Sequence, residues 1–136
     1  MYLEQLIFDR TQADLDNDTN KAYIDYNDLN RVEGACSEMA SILGVTVNTK
    51  RWAITDYRLE SEMERLRGNL ETLQNAYYKA QGTPAVPSRI TYTNITQANE
   101  IEKIIYDIWT LYKQVQAGTR RFSFVLGRKP IGNREA

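Results

Sequence analysis

Apolar residues recur at three- and four-residue spacing in three stretches of the chain, and each stretch predicts an amphipathic helix. In the first, Leu29, Val32, Cys36, Met39, Ala40 and Leu43 share one face over residues 28–43. Asn27 stands at its N-cap position, and Gly44 follows where a left-handed C-cap is wanted. In the second, Met63, Leu66, Leu70, Leu73 and Tyr77 form the stripe of a helix over 60–80. Ser61 and Glu64 have the spacing of a capping box, and Gly82 ends the pattern. In the third, Ile101, Ile104, Ile105, Ile108, Leu111, Tyr112 and Val115 make a wide stripe over 97–117. Trp109 borders that stripe, Thr96 caps it and Gly118 closes it. A short helix over 12–17 precedes them, capped by Thr11, with Asp14 and Asp16 early, where the helix dipole favours acids. The cluster Asn17-Asp18-Thr19-Asn20 breaks it.

The segments between these stripes complete the expected architecture. Thr83-Pro84-Ala85-Val86-Pro87-Ser88 cannot continue a helix. The two helices it joins are each about 30 Å long at 1.5 Å per residue, so they read as an antiparallel helical hairpin on which the 28–43 helix packs. Val45-Thr46-Val47 reads as extended and leads to Trp52 and a turn at Thr55-Asp56. Phe122-Ser123-Phe124-Val125-Leu126 partly alternates and reads as one short strand, followed by an extended arm from Gly127. Its only candidate partner in the chain is the neighbourhood of Thr46, and an unpaired strand invites pairing with another subunit. The expected fold class is therefore all-α. A short N-terminal helix and a three-helix core with a long helical hairpin occupy residues 1–118, and residues 119–136 form an extended C-terminal arm carrying one short strand. No fixed-period repeat is present.

Composition removes several chemistries. The chain has 136 residues, one domain's worth, with one cysteine and no histidine. A disulfide within the chain is impossible, a Cys/His zinc site lacks ligands, and triads or Cys-His pairs lack an imidazole. Gly-rich phosphate loops are absent. No cofactor, metal ligand set or catalytic residue is assigned. No apolar window is long enough to span a membrane. The first residues lack the basic-then-apolar order of a signal peptide, and the lone Cys36 suits a reducing compartment. Synthesis and residence in a cytoplasm are expected.

The net charge of −1 conceals an uneven division. Residues 1–44 carry −6, residues 45–117 carry +1, and residues 118–136 carry +4. An acidic front and a basic tail can attract each other head-to-tail between subunits, or the tail can meet an anionic partner. Arg120, Arg121, Arg128 and Lys129 beside Phe122, Phe124, Val125 and Leu126 are the candidate protein-interface residues. Phe122 and Phe124 also suit base stacking, but the pI near 5.5 and the lack of a recognised motif weigh against nucleic acid.

Other charged groups read as structural. Asp14, Asp16 and Asp18 alternate like a calcium loop, but Thr19 and Asp25 stand where that loop needs Gly and Glu. Glu62 can reach Arg65, and Glu64 can reach Arg67, as ordinary helix-surface pairs. Glu100 and Glu102 lie on different faces of their helix and do not make a paired acid and base. Cys36, on an apolar stripe, behaves as a small hydrophobe. Tyr77, Tyr106 and Tyr112 lie on or near stripes and suit cores and interfaces alike. Arg10 and Arg31 are candidates to pair with Asp9, Asp28 or Glu33 and so to dock the short first helix.

Four segments carry a family likeness: Leu6-Ile7-Phe8-Asp9-Arg10-Thr11-Gln12-Ala13-Asp14, Tyr26-Asn27-Asp28-Leu29-Asn30-Arg31-Val32-Glu33, Trp52 with Asp56 ahead of Ser61-Glu62-Met63-Glu64-Arg65, and Ile95-Thr96-Gln97-Ala98-Asn99-Glu100-Ile101-Glu102-Lys103-Ile104. In this order, over residues 6–112, the chain resembles a family of small helical proteins encoded in the tail-structure gene regions of phages and prophages of Firmicutes. The gap between the first two segments is shorter here, and the basic ending is not carried over from the family. The resemblance implies a virion structural or tail-associated protein without known enzymatic activity, and the strand left without an internal partner makes an oligomeric adaptor or decoration subunit of the tail or baseplate region the leading expectation. It implies assembly in a bacterial cytoplasm and residence in the virion tail. The implied partners are other phage structural proteins and further copies of itself, with no membrane and no small-molecule substrate. The alternative is a head-tail connector or packaging component that contacts nucleic acid through the basic C-terminal arm.

Overall fold

A complete capping box opens the first helix, α1 (Gln12–Asp16): Thr11 Oγ1 accepts from the Asp14 N–H, and the Asp14 carboxylate accepts from the Thr11 N–H. The computed structural model describes residues 1–17, 24–90 and 94–128, with side chains described as far as Gly118 in the last of these. Helix α2 (Tyr26–Leu43) is capped by Asp25, not by Asn27. The Asp25 carboxylate accepts the N–H groups of Asn27 and Asp28, and the Asp28 carboxylate accepts the Asp25 N–H at 2.9 Å. This reciprocal pair with Asp28, and the Asn27 N–H that Asp25 also accepts, set the start of the helix two residues early. Gly44 ends α2 at φ +73°, as expected.

Helix α3 (Glu60–Ala76) begins one residue before Ser61, so the expected capping box does not form. Glu64 instead pairs with Arg67 on the helix surface, and Arg67 also reaches Glu71. The helix stops at Ala76, short of Ala80, because Tyr77 adopts an extended backbone. Helix α4 (Ile95–Arg128) is opened by Asn94, not Thr96: Asn94 Oδ1 accepts the Gln97 N–H at 2.7 Å. The backbone of α4 is helical through Phe122–Leu126 as far as Arg128, and the rest of the expected arm lies outside the described residues. Helical backbone satisfies its own N–H and C=O groups, whereas a lone strand leaves them unpaired. Every regular element among the described residues is helical, and the fold is all-α.

The direction of the helices differs from the hairpin reading. The start of α3 lies near the start of α4, through Glu60–Arg89 and the Gln97–Arg89 hydrogen bond, and its end meets α4 at the Tyr77–Tyr112 ring contact. The segment between them runs back: Pro84 meets Gln74, Thr83 meets Asp107, and Arg89 meets Glu60. Helices α2 and α3 are related in the same way, with Asn48 beside Asn69, Lys50 beside Glu62, Trp52 beside Asn30, and Arg58 beside Ile24. So α2, α3 and α4 point in one sense, and each is preceded by an extended segment that returns along the bundle. The third such segment is the N-terminus, where Tyr2 lies beside Glu38 and Arg10 beside Asn99. It carries one turn of 3₁₀ helix, Tyr2–Gln5, which places Leu3 in the core. That core also holds Leu29, Val32, Met39, Leu66, Leu70, Leu73, Ile101, Ile104, Ile105 and Trp52.

Two of the three return segments are pinned by asparagines from helices, and the one between α3 and α4 is held by Gln74, Asp107 and Gln97. Asn99 accepts the Arg10 N–H and donates to the Arg10 carbonyl. Asn30 does this for Trp52, and Asn69 for Asn48. A primary amide offers one donor and one acceptor in the geometry of a peptide, so each asparagine stands in for a neighbouring strand.

Candidate functional site

Two acids stand on apolar stripes, and the fold buries both. Glu33 lies between Leu29 and Cys36 on α2, and Glu102 follows Ile101 on α4. The Glu102 carboxylate is fully buried and accepts four hydrogen bonds. They come from Arg10 Nη2 at 2.7 Å, Arg31 Nε at 2.7 Å, Arg31 Nη2 at 2.8 Å and the Ile7 N–H at 2.8 Å. Asp28 completes the cluster, at 2.6 Å from Arg31 and 3.4 Å from Arg10. Two guanidinium groups and two carboxylates meet, so their formal charges cancel. Arg10 also donates to the Ile7 carbonyl and to Asn99.

The second cluster centres on Glu33. It accepts from Arg65 Nη2 at 2.5 Å, Arg65 Nη1 at 3.0 Å and the Trp52 indole N–H at 2.8 Å. Arg65 continues to Glu62 and to the Asn48 carbonyl. Lys50 joins Glu62 and lies over the Trp52 ring, 4.3 Å from its centroid.

These clusters are ties between segments. Glu102 and Asp28 bind the N-terminal segment to α2 and α4, and Glu33 binds the second return segment and α3 to α2. Burial works against the charge of Arg31, but its hydrogen bonds to Glu102 and Asp28 outweigh that and hold the guanidinium above its ordinary range. The bond to Glu33 does the same for Arg65 against its partial burial. A general acid or base must change protonation near working pH, and these two cations are held further from that. Burial pushes the Cys36 thiol up, and the nearby Glu33 charge adds to this, so the thiolate that a nucleophile needs is disfavoured.

The expected pairs of Arg10 and Arg31 with Asp28 form, but the main partner of both is Glu102, and Glu33 goes to Arg65. Glu62–Arg65 and Glu64–Arg67 pair as expected. Tyr77 packs on Tyr112 and Tyr78, and Phe8 packs on Tyr106, which meets Trp109 edge-on. The candidate interface residues Arg120, Arg121, Phe122, Phe124, Val125, Leu126 and Arg128 lie on the helical backbone of α4, with side chains outside the described part. Lys129 lies outside the described residues.

Two open clefts lie beside α2. One, of about 240 Å³, is lined by Tyr26, Leu29, Trp52 and Ile54 with Asp25 and Asp56. Both of its carboxylates serve backbone N–H groups, in the α2 cap and at Ala53. The other, of about 290 Å³, is lined by Tyr2, Gly34, Ser37, Lys50 and Arg51. Among the described residues, no group of acids and cysteine is placed to hold a metal ion, and no helix is long and apolar enough to cross a membrane. Comparison of the chain with protein-family models, with curated proteins and with solved structures finds no match.

Proposed function

We propose that the chain is a structural subunit of a phage tail or baseplate region, an adaptor or decoration protein that acts by binding other structural proteins. The observation that carries this reading is the length of α4. Helix α3 ends opposite Tyr112, so residues 113–128 continue for about 24 Å beyond it. A basic helix that leaves its own bundle offers a surface to another chain, and the buried acids are already committed to structural pairs. The tail-region likeness of residues 6–112 supplies the setting. Antibody raised against the purified protein should label purified phage particles at the tail, and particles free of the protein would overturn the assignment.

Residues 113–128 carry four basic residues and no acid, which favours one second reading, a connector that contacts nucleic acid. It requires DNA binding that weakens steeply with salt, and a gel shift without binding at low salt removes it.

A further inference from the structure

Because α2, α3 and α4 point in one sense, the bundle has two unlike ends. The N-terminal end holds α1 and the segment leading into α3. Exposed Leu15, Ile54, Tyr57 and Leu59 lie there, with the exposed carboxylates Asp16 and Glu60. Arg10 fixes α1 to the beginnings of α2 and α4, and Arg58 fixes the other segment to Ile24. The C-terminal end holds Tyr78, 73% exposed, and Val115, 37% exposed, at the base of the projecting part of α4. Among the described residues, the other exposed large apolar side chains are Met1 and Tyr2 on the N-terminal segment. Large apolar exposure therefore concentrates at the two ends, and such patches mark association surfaces.

Charge selects the occupant. Residues 113–128 of α4 carry four basic residues and no acid, while at the N-terminal end residues 9–16 carry −2 and residues 56–60 carry −1. Two C-terminal ends facing each other would oppose cation to cation, whereas a C-terminal end facing the acidic end of another copy gains attraction and covers apolar surface on both. We propose that this chain stacks head-to-tail, with the projecting part of α4 seated on the N-terminal end of a second copy. Such a heterologous contact repeats into a ring or a column. The inference deepens the assembly reading above and rests on it. A purified chain that stays monomeric overturns the stacking, whereas absence from particles overturns the virion assignment.

Complementary charge reversal tests it. The variant Arg120→Glu/Arg121→Glu brings residues 113–128 to zero net charge, and the variant Asp16→Lys/Glu60→Lys removes the acidic excess of the N-terminal end. Circular dichroism confirms that each is folded. In sedimentation velocity at about 100 µM protein and low salt, the wild type should associate, with at least about tenfold weaker association once the Debye length falls below about 5 Å. Each variant alone should be monomeric, and the equimolar mixture should associate again. A monomeric wild type, a variant that associates alone like the wild type, or a mixture that stays monomeric each overturns the proposal.

Discussion

Glu102→Gln is the substitution that most directly tests the buried ties. It keeps the shape of the side chain and removes one charge. In the native protein this carboxylate neutralises Arg10 and Arg31 together and accepts four hydrogen bonds, three of them from guanidinium groups. The amide retains one acceptor oxygen and turns an NH₂ group toward two cations. Asp28 then faces two guanidinium groups, and the Arg10 side chain has no exposure through which water could screen it. Removing one partner of a buried ion pair costs about 3–5 kcal/mol. Against a total stability of about 5–15 kcal/mol for a native protein, that is a large fraction. Urea unfolding followed by tryptophan fluorescence measures it, since Trp52 is buried beside the second cluster. The matched control is Glu64→Gln, whose exposed pair with Arg67 should leave the unfolding midpoint unchanged. A Glu102→Gln loss below about 1 kcal/mol would show that the cluster does not hold the N-terminal segment as described.

Other consequences follow from single contacts. Asn69→Ala leaves the Asn48 N–H and carbonyl without their partner and should cost about 1–3 kcal/mol by urea unfolding. Gly34→Ala places a methyl group within 2.3 Å of the Tyr2 ring, so amide exchange at Tyr2 and Leu3 should quicken, and Tyr2→Ala in the same chain should abolish the effect of the new methyl. The hydrogen bond from Lys50, then that from Arg65, holds the Glu62 carboxyl below its usual value. A carboxyl lowered on folding contributes stability that is present above about pH 4.5 and lost as pH falls through the folded value, so Lys50→Met should raise the Glu62 titration seen by NMR and reduce acid sensitivity. Cys36, buried with its thiol pushed up, should react with a thiol reagent only at the rate at which the protein opens.

Much of the helical content is legible in the apolar spacing, because a stripe such as Leu29-Val32-Cys36-Met39 fits only one period. The helix starts are less so. The start at Glu60 is as expected, but Asn27 and Thr96, both sound cap residues, lose the position to Asp25 and Asn94. A one- or two-residue choice among capping groups is decided by how the return segments dock, which local spacing does not encode. The same cause misdirects the hairpin reading. The Pro-rich stretch suggests a short connection, but α3 stops at Ala76 and α4 starts at Ile95, leaving enough chain to travel back along α3. The buried clusters left one visible signal, acids at Glu33 and Glu102 within apolar faces. Their partners Arg65 and Arg10 lie far away in sequence, and no spacing rule connects them.

The head-to-tail contact is tested most directly by crosslinking between copies. One chain carries Val115→Cys and another Ile54→Cys, and the buried Cys36 stays protected in both. Mixed at low salt with a short bifunctional thiol reagent, the two chains should yield a Val115→Cys to Ile54→Cys dimer, which disappears as salt is raised. Crosslinks confined to like chains, or none between copies, would contradict the account.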